Sequence, residues 1–184
     1  REHLIQKVRD CVEEINELIN NYNQEHIWQD GALVVLAGRV NAGKSSLLNA
    51  LLGRERAIVT DIPGTTRDYL EESINLHGLP VRLVDTAGLR KTNDIVEKEG
   101  FLRGQELIKK ADLCLTIIDS RLGPGSEDRD ILKKVAAEKV VIVANKMDLL
   151  DEEPDWTNEF KEKKLDLIFI SARYGQGLKE LTTL

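Results

Sequence analysis

Gly38-Arg39-Val40-Asn41-Ala42-Gly43-Lys44-Ser45-Ser46 is the stretch on which the fold turns. An apolar run, Ala32-Leu33-Val34-Val35-Leu36-Ala37, precedes it, and a helical pattern of Leu47, Leu48, Ala50, Leu51 and Leu52 follows. Strand, glycine loop and helix, in that order, are the context a phosphate-binding loop requires. Gly38 permits a tight turn off the strand, and Gly43 lets the backbone come close to a phosphate. Backbone N–H groups then converge on an anion at the helix N-terminus, where the dipole also favours negative charge. Lys44 would reach the β- and γ-phosphate oxygens, and the Ser45 hydroxyl is placed to ligate Mg²⁺. The eight-position pattern with its flanks argues against a glycine-rich turn that binds nothing.

Working outward, 184 residues suit one compact α/β domain plus an appendage. Hydrophobic residues make up 41%, enough for a core. The net charge of −6 and a pI near 5.2 offer no basic face for nucleic acid. Cys11 and Cys114 are far apart and lack metal-ligand spacing, and Cys114 lies in an apolar run where a buried thiol is the default. The apolar runs are too short to span a bilayer, and the expected setting is the reducing cytoplasm with no membrane partner. The chain runs from Arg1 to Leu184 and reads as a piece excised from something longer.

Leu4, Ile5, Val8, Val12, Ile15, Leu18, Ile19 and Tyr22 follow a helical period. Residues 1–29 are therefore expected to form an amphipathic helical segment, and residues 30–184 the nucleotide-binding domain. That helix would pack either on this domain or in a helical bundle completed by other residues. Trp28 to Gly31 are expected to turn the chain into the first strand, and Gly53 to end the helix that starts at Lys44. Residues 53–68 read as a loop. Tyr69–Leu76 and Val81–Asp85 read as strands joined at His77-Gly78, an antiparallel pair in an otherwise parallel sheet. Helices are expected over 92–110, 127–138, 156–163 and from Leu178 onward. Buried strands are expected at Leu113–Asp119, Val140–Ala144 and Leu167–Ile170. Alternating strands and helices predict a doubly wound, mostly parallel six-stranded sheet with helices on both faces.

Three further motifs fall at strand ends. Asp85-Thr86-Ala87-Gly88 can hold Mg²⁺ through water with Asp85 and meet a γ-phosphate with the Gly88 backbone. Loss of that phosphate would release the segment. Asn145-Lys146-Met147-Asp148 supplies a carboxylate that accepts from N1–H and the exocyclic amine of guanine, a donor pair that adenine lacks. Lys146 can lie over the base, Asn145 can tie this loop to the phosphate loop, and a backbone N–H at Ser171-Ala172 can meet guanine O6. In this order the motifs point to a guanine nucleotide.

The set GRVNAGKS, GTTRD, DTAG, NKMD and SA resembles the translation-factor-like branch of the Ras-like P-loop GTPases. Ser45–Gly53, Arg56–Asp68 and Asp85–Arg90 are similar to the G domain of the tRNA-modification GTPases of the MnmE (TrmE) family. The leading helix resembles the helical segment into which that G domain is inserted. The Era and Der ribosome-assembly GTPases share many of these motifs, and a weakly hydrolysing, nucleotide-gated interaction module is a further alternative.

The resemblance implies hydrolysis of GTP to GDP and phosphate, in service of wobble-uridine modification of tRNA. It implies Mg²⁺ on Ser45 and Thr66. It also implies K⁺ held by Asn41 with Thr60, Ile62 and Thr65, supplying positive charge as an arginine finger does. The nucleotide would be held by Asn41, Ala42, Gly43, Lys44, Ser45, Ser46, Thr60, Thr65, Thr66, Asp85, Gly88, Asn145, Lys146, Asp148, Ser171 and Ala172. Lys44 and Thr66 would serve the reaction directly. Leu89 stands where Ras-type proteins carry a water-orienting glutamine, and the family's substitute glutamate maps to Glu97, a catalytic role for which a solvated helix residue is the lesser alternative. Arg67 and Arg90 are open between electrostatic help and dimer contact. Val40 stands where the family usually has proline. Implied partners are an MnmG-type flavoprotein, a second G domain pairing transiently across the switches, and tRNA through the full complex.

Overall fold

The structure is a computed structural model, and it describes residues 6, 7, 9, 11, 12, 14, 15, 27–54, 71–86, 104, 106–136 and 139–184. The expected leading helix, the loop after residue 54 and the start of the 92–110 helix lie outside or mostly outside these residues.

Among the described residues six strands form one sheet: β1 (Ala32–Ala37), β2 (Glu71–Leu76), β3 (Leu79–Asp85), β4 (Leu113–Asp119), β5 (Val140–Asn145) and β6 (Asp166–Ile170). Their spatial order is β2-β3-β1-β4-β5-β6. Of these described strands only β2 runs antiparallel, hairpinned to β3 through His77 and Gly78, both at positive φ. The described helices are α1 (Lys44–Arg54), α2 (Ser126–Leu132), α3 (Asn158–Glu162) and α4 (Leu178–Thr182). Residues 106–110 are also helical.

Alternation along β1 sorts the core into two layers, as a strand buried on both faces must. Val34 and Leu36 face Leu47, Leu48 and Leu51 of α1 and Leu178 and Leu181 of α4. Val35 and Ala37 face Ile108, Phe160 of α3 and the partly buried Ile131 and Leu132 of α2. Helices therefore cover both faces. Burial of each such leucine or isoleucine stabilises the fold by roughly 1.5–3 kcal/mol.

The chain leaves β1 toward β3 on one side and later crosses to β4 on the other, so β1 sits at the point where the strand order reverses. A ligand crevice belongs at the carboxyl ends of the strands at such a point. The parallel register aligns those ends: Leu36 pairs with Asp85, Asp119 with Asn145, and Asn145 with Ile170.

Three boundaries differ from expectation. Residues 27–30 form a helical turn rather than a simple bend, closed by the Gly31 N–H bonding to the Ile27 carbonyl at 3.0 Å. Gly31 then adopts φ +81, the left-handed stop that glycine favours. Gly53, expected to be such a stop, lies inside α1, which continues to Arg54. The helix expected over 127–138 is shorter and ends at Leu132.

Candidate functional site

The phosphate loop leaves β1 under steric control. Gly38 has φ +134, and a Cβ there would sit 2.2 Å from the Ile117 carbonyl oxygen. Gly43 has φ +101, and its Cβ would sit 2.1 Å from Asn145 Nδ2. Between them Asn41 adopts φ 63, a left-handed conformation that asparagine tolerates. Lys44 is buried, and its Nζ donates to the Gly38 and Arg39 carbonyls at 2.8 and 2.7 Å, so its ammonium lies across its own loop. Ala42 is buried beneath the loop, while Ser45 and Ser46 are exposed at the start of α1. Val40 is exposed on the loop's rim.

Ser45 Oγ donates to Asp85 Oδ2 at 2.8 Å, across 40 residues of sequence. The Thr86 amide and hydroxyl both bond the Leu36 carbonyl, at 3.2 and 2.9 Å, which fixes the end of β3 against β1. A hydroxyl and a carboxylate side by side are hard oxygen donors of the kind Mg²⁺ takes, with its remaining shell left to water and phosphate. Among the described residues there is no cluster of three or more His, Cys, Asp or Glu that could hold a metal.

The base loop lies beside the phosphate loop. Asn145 Nδ2 donates to the Ala42 carbonyl at 3.0 Å, and Asn145 Oδ1 accepts from the amides of Lys146 (2.8 Å) and Ala172 (3.0 Å). One buried amide thus joins three segments. Lys146, at φ 66, donates from Nζ to the Asn41 carbonyl at 2.7 Å and to Asp119 Oδ2 at 2.6 Å. A non-glycine residue held in that region costs on the order of 1–2 kcal/mol, and such strain concentrates at functional sites. Ser171 Oγ donates to Asp148 Oδ1 at 2.5 Å, leaving the exposed carboxylate oriented at the crevice. Gly43, Ser46, Asn145, Lys146, Asp148, Leu149, Ala172 and Arg173 line a cavity of about 330 Å³.

The structure therefore brings together Asn41, Ala42, Gly43, Lys44, Ser45, Ser46, Asp85, Asn145, Lys146, Asp148, Ser171 and Ala172. Thr60, Ile62, Thr65, Thr66, Gly88, Leu89, Arg67, Arg90 and Glu97 lie outside the described residues. The fold adds residues to this edge that the motif spacing does not mark. Asp119 ends β4 on the same edge and anchors Lys146. Burial would raise its carboxyl, but hydrogen bonds from Arg121 and Lys146 outweigh that and hold it down at about 2. Ser120 Oγ bonds the Asn145 carbonyl at 2.6 Å, and Trp156 Nε1 bonds the Ser120 carbonyl at 3.0 Å. A rule flagging every polar residue at the end of a buried parallel strand would have found Asp119. Nothing local in the sequence marks Trp156.

Residues 33–146 match the family model described as a 50S ribosome-binding GTPase. The chain belongs to this GTPase family. The match covers β1 to the start of the base loop and stops just short of Asp148, which the fold carries onto Ser171. End to end, the chain is 45% identical over 183 residues to the tRNA modification GTPase MnmE of Lawsonia intracellularis, covering 100% of this chain and 40% of that protein. It is 52% identical over 169 residues to the MnmE of Nitratidesulfovibrio vulgaris strain DP4, covering 91% and 36%. The MnmE of Aquifex aeolicus is 44% identical over 182 residues, covering 99% and 40%. This GTPase domain thus spans well under half the length of those relatives. Among solved structures it resembles Aquifex aeolicus Era bound to GDP and aluminium fluoride, with TM-score 0.64 and 27% identity, covering 82% of this chain and 54% of that one. The G domain of the T. maritima FeoB iron transporter gives TM-score 0.58 and 29% identity, covering 83% and 94%.

Proposed function

We propose that this chain is the GTP-hydrolysing G domain of an MnmE-type tRNA-modification GTPase. The observation that carries the nucleotide assignment is the Asn145–Ala42 bond, which fuses a base grip and a phosphate grip into one site. Asp148 selects guanine through N1–H and the exocyclic amine. The loop amides and Lys44 hold the triphosphate and stabilise charge that develops on it. Ser45 and Thr66 would hold Mg²⁺ directly and Asp85 through water, and the ion would neutralise phosphate charge. Asn41, with Thr60, Ile62 and Thr65, holds K⁺, which adds positive charge where the leaving group develops. Glu97 positions the attacking water in place of the glutamine that Leu89 replaces.

The end-to-end similarity to MnmE proteins supports the assignment to tRNA wobble-uridine modification, in the cytoplasm, with residues 1–29 as part of a larger helical domain. It supports the partners as well: an MnmG-type flavoprotein, a second G domain across the switches, and tRNA through the assembled complex. A ribosome-assembly role has one observation in its favour, the description of the matching family model. Identity of 44–52% to MnmE proteins against 27% to Era favours tRNA modification.

The test is phosphate release from GTP and from ATP, each in K⁺ and in Na⁺ with Mg²⁺ present. GTP-specific turnover stimulated by K⁺ is expected. Equal use of ATP would overturn the base assignment, indifference to the monovalent cation would overturn the K⁺ site, and no turnover would leave a nucleotide-gated interaction module.

A further inference from the structure

The carboxylate of Asp128 lies under the phosphate loop, 89 residues along the chain from Arg39, and is completely buried. Its Oδ1 accepts the Arg39 backbone N–H at 3.1 Å. Its Oδ2 accepts the Gly125 N–H at 2.8 Å and lies 2.9 Å from Arg39 Nε. The far end of the Arg39 guanidinium, Nη2, donates to the Gly123 carbonyl. We propose that Arg39 and Asp128 form a clamp that sets the position of the phosphate loop, making Asp128 a positioning residue for nucleotide binding although it lies outside the crevice. The inference rests on the guanine-nucleotide reading of the site and goes beyond it.

A helix-capping role alone does not account for this geometry. Capping α2 requires only the bond from the Gly125 N–H. The two remaining contacts both go to Arg39, one of them to the main chain of the loop itself. Burying a carboxylate is costly unless it is charge-paired and hydrogen-bonded, and Arg39 supplies both a paired charge and an N–H. The approach is close enough to restrict the neighbouring residue: a Cβ on Gly125 would sit 2.9 Å from Arg39 Cδ.

The clamp also has a counterpart on the base side. The segment running from Asp119 to Asp128 carries Asp119, which holds Lys146, and Ser120, which holds the Asn145 carbonyl. Both nucleotide-facing loops are therefore braced on one segment that contains neither. Asp128 acts on the phosphate end, so its loss should weaken the grip on phosphates and leave the choice of base unchanged.

The experiment uses the full 184-residue chain and N-methylanthraniloyl-GDP, with dissociation followed by stopped-flow fluorescence and competition by GDP and IDP. Arg39→Ala and Asp128→Asn should each accelerate dissociation roughly ten- to hundredfold, the loss expected of a charge-assisted contact. The double variant should be no faster than the faster single one, because the two residues act as one unit. The ratio of GDP to IDP affinity should stay at its wild-type value. Arg39→Lys, which keeps the charge but loses the fork, provides a second variant should the others fold poorly, and it too should accelerate dissociation. Off-rates within twofold of wild type, additive effects in the double variant, or a changed GDP/IDP ratio would each overturn the clamp. Failure of the wild-type chain to bind the probe would instead sink the nucleotide reading on which the clamp rests.

Discussion

Asn145, the last residue of β5, donates from Nδ2 to the carbonyl of Ala42 at 3.0 Å, joining positions 103 residues apart. The same side chain accepts from the amides of Lys146 and Ala172, so one buried amide fixes the spacing between the Asn145–Asp148 loop, the Ser171-Ala172 turn and the Gly38–Ser45 loop. Asn145→Ala would leave three backbone groups without this partner, each worth about 1–3 kcal/mol when buried. GDP affinity should fall roughly a hundredfold, and the melting temperature should drop by several degrees, on the order of 2–4 °C per kcal/mol in a domain of this size. Isothermal titration and a thermal melt measure both.

Glycines around the site separate three kinds of constraint. Gly43→Ala should abolish nucleotide binding while the sheet persists, because its Cβ would meet Asn145 Nδ2 at 2.1 Å. Gly38→Ala should destabilise the fold itself, since the obstacle is the Ile117 backbone oxygen at 2.2 Å. Gly53→Ala should stabilise by about 0.5–1 kcal/mol, the ordinary gain in a helix, because among the described residues nothing lies within 4 Å of the added methyl. Circular dichroism melts paired with fluorescent-nucleotide titration distinguish the three.

Asp148→Asn should exchange the preferred base. The amide would offer a donor where the carboxylate offers only acceptors, which matches the oxygen that xanthine carries in place of guanine's amine. GTP affinity should fall roughly a hundredfold or more, because hydrogen-bond donors are left unpaired. Xanthosine triphosphate should bind better to the variant than to the wild type in a competition assay.

The two thiols should react unequally. Burial pushes the Cys114 thiol up to about 11, against a weaker opposing effect of the Thr116 hydroxyl, while Cys11 is exposed. At pH 8 a disulfide reagent should modify one thiol per native chain and two after denaturation. Two rapid modifications of the native chain would contradict the packing of β4.

Asp119 makes stability depend on acid. Its folded value of about 2 lies below the ordinary 3.8, so the folded chain binds fewer protons between those values. The stabilisation is fully present above about pH 4 and is lost as the pH falls toward 2. Asp119→Asn should therefore be less stable than wild type at pH 7, and the difference should shrink between pH 4 and 2 in denaturant titrations.

The fold was largely legible because its signals are local. Val140–Ala144 and Leu113–Asp119 are unbroken apolar runs, the pattern of strands covered on both faces, and the structure makes them β5 and β4. His77-Gly78 between two alternating runs marked the antiparallel pair of β2 and β3. Helix ends were harder to read. Gly53 looks like a terminator, yet its neighbours Leu51 and Leu52 pack on the core or against it and carry α1 past it. Propensity yields where burial of adjacent leucines outweighs it.

Within the site, residue identity and chain order sufficed to single out Lys44, Ser45, Asp85, Asn145 and Asp148 as candidates, and the fold brings them to one edge of the sheet; phosphate and guanine would demand such donors and acceptors at fixed positions along strand ends. The sequence by itself therefore determined which ligand chemistry this protein is built for. Only the tertiary structure decided what holds those groups at the right separation: Asn145 on Ala42, Lys146 on Asp119, and Arg39 on Asp128. These pairs are brought together by the parallel register and by the crossing of the chain at β1. A hydrogen bond across ~100 residues leaves no periodic trace, since any polar residue of suitable length at either end would read the same until the sheet sets the distance.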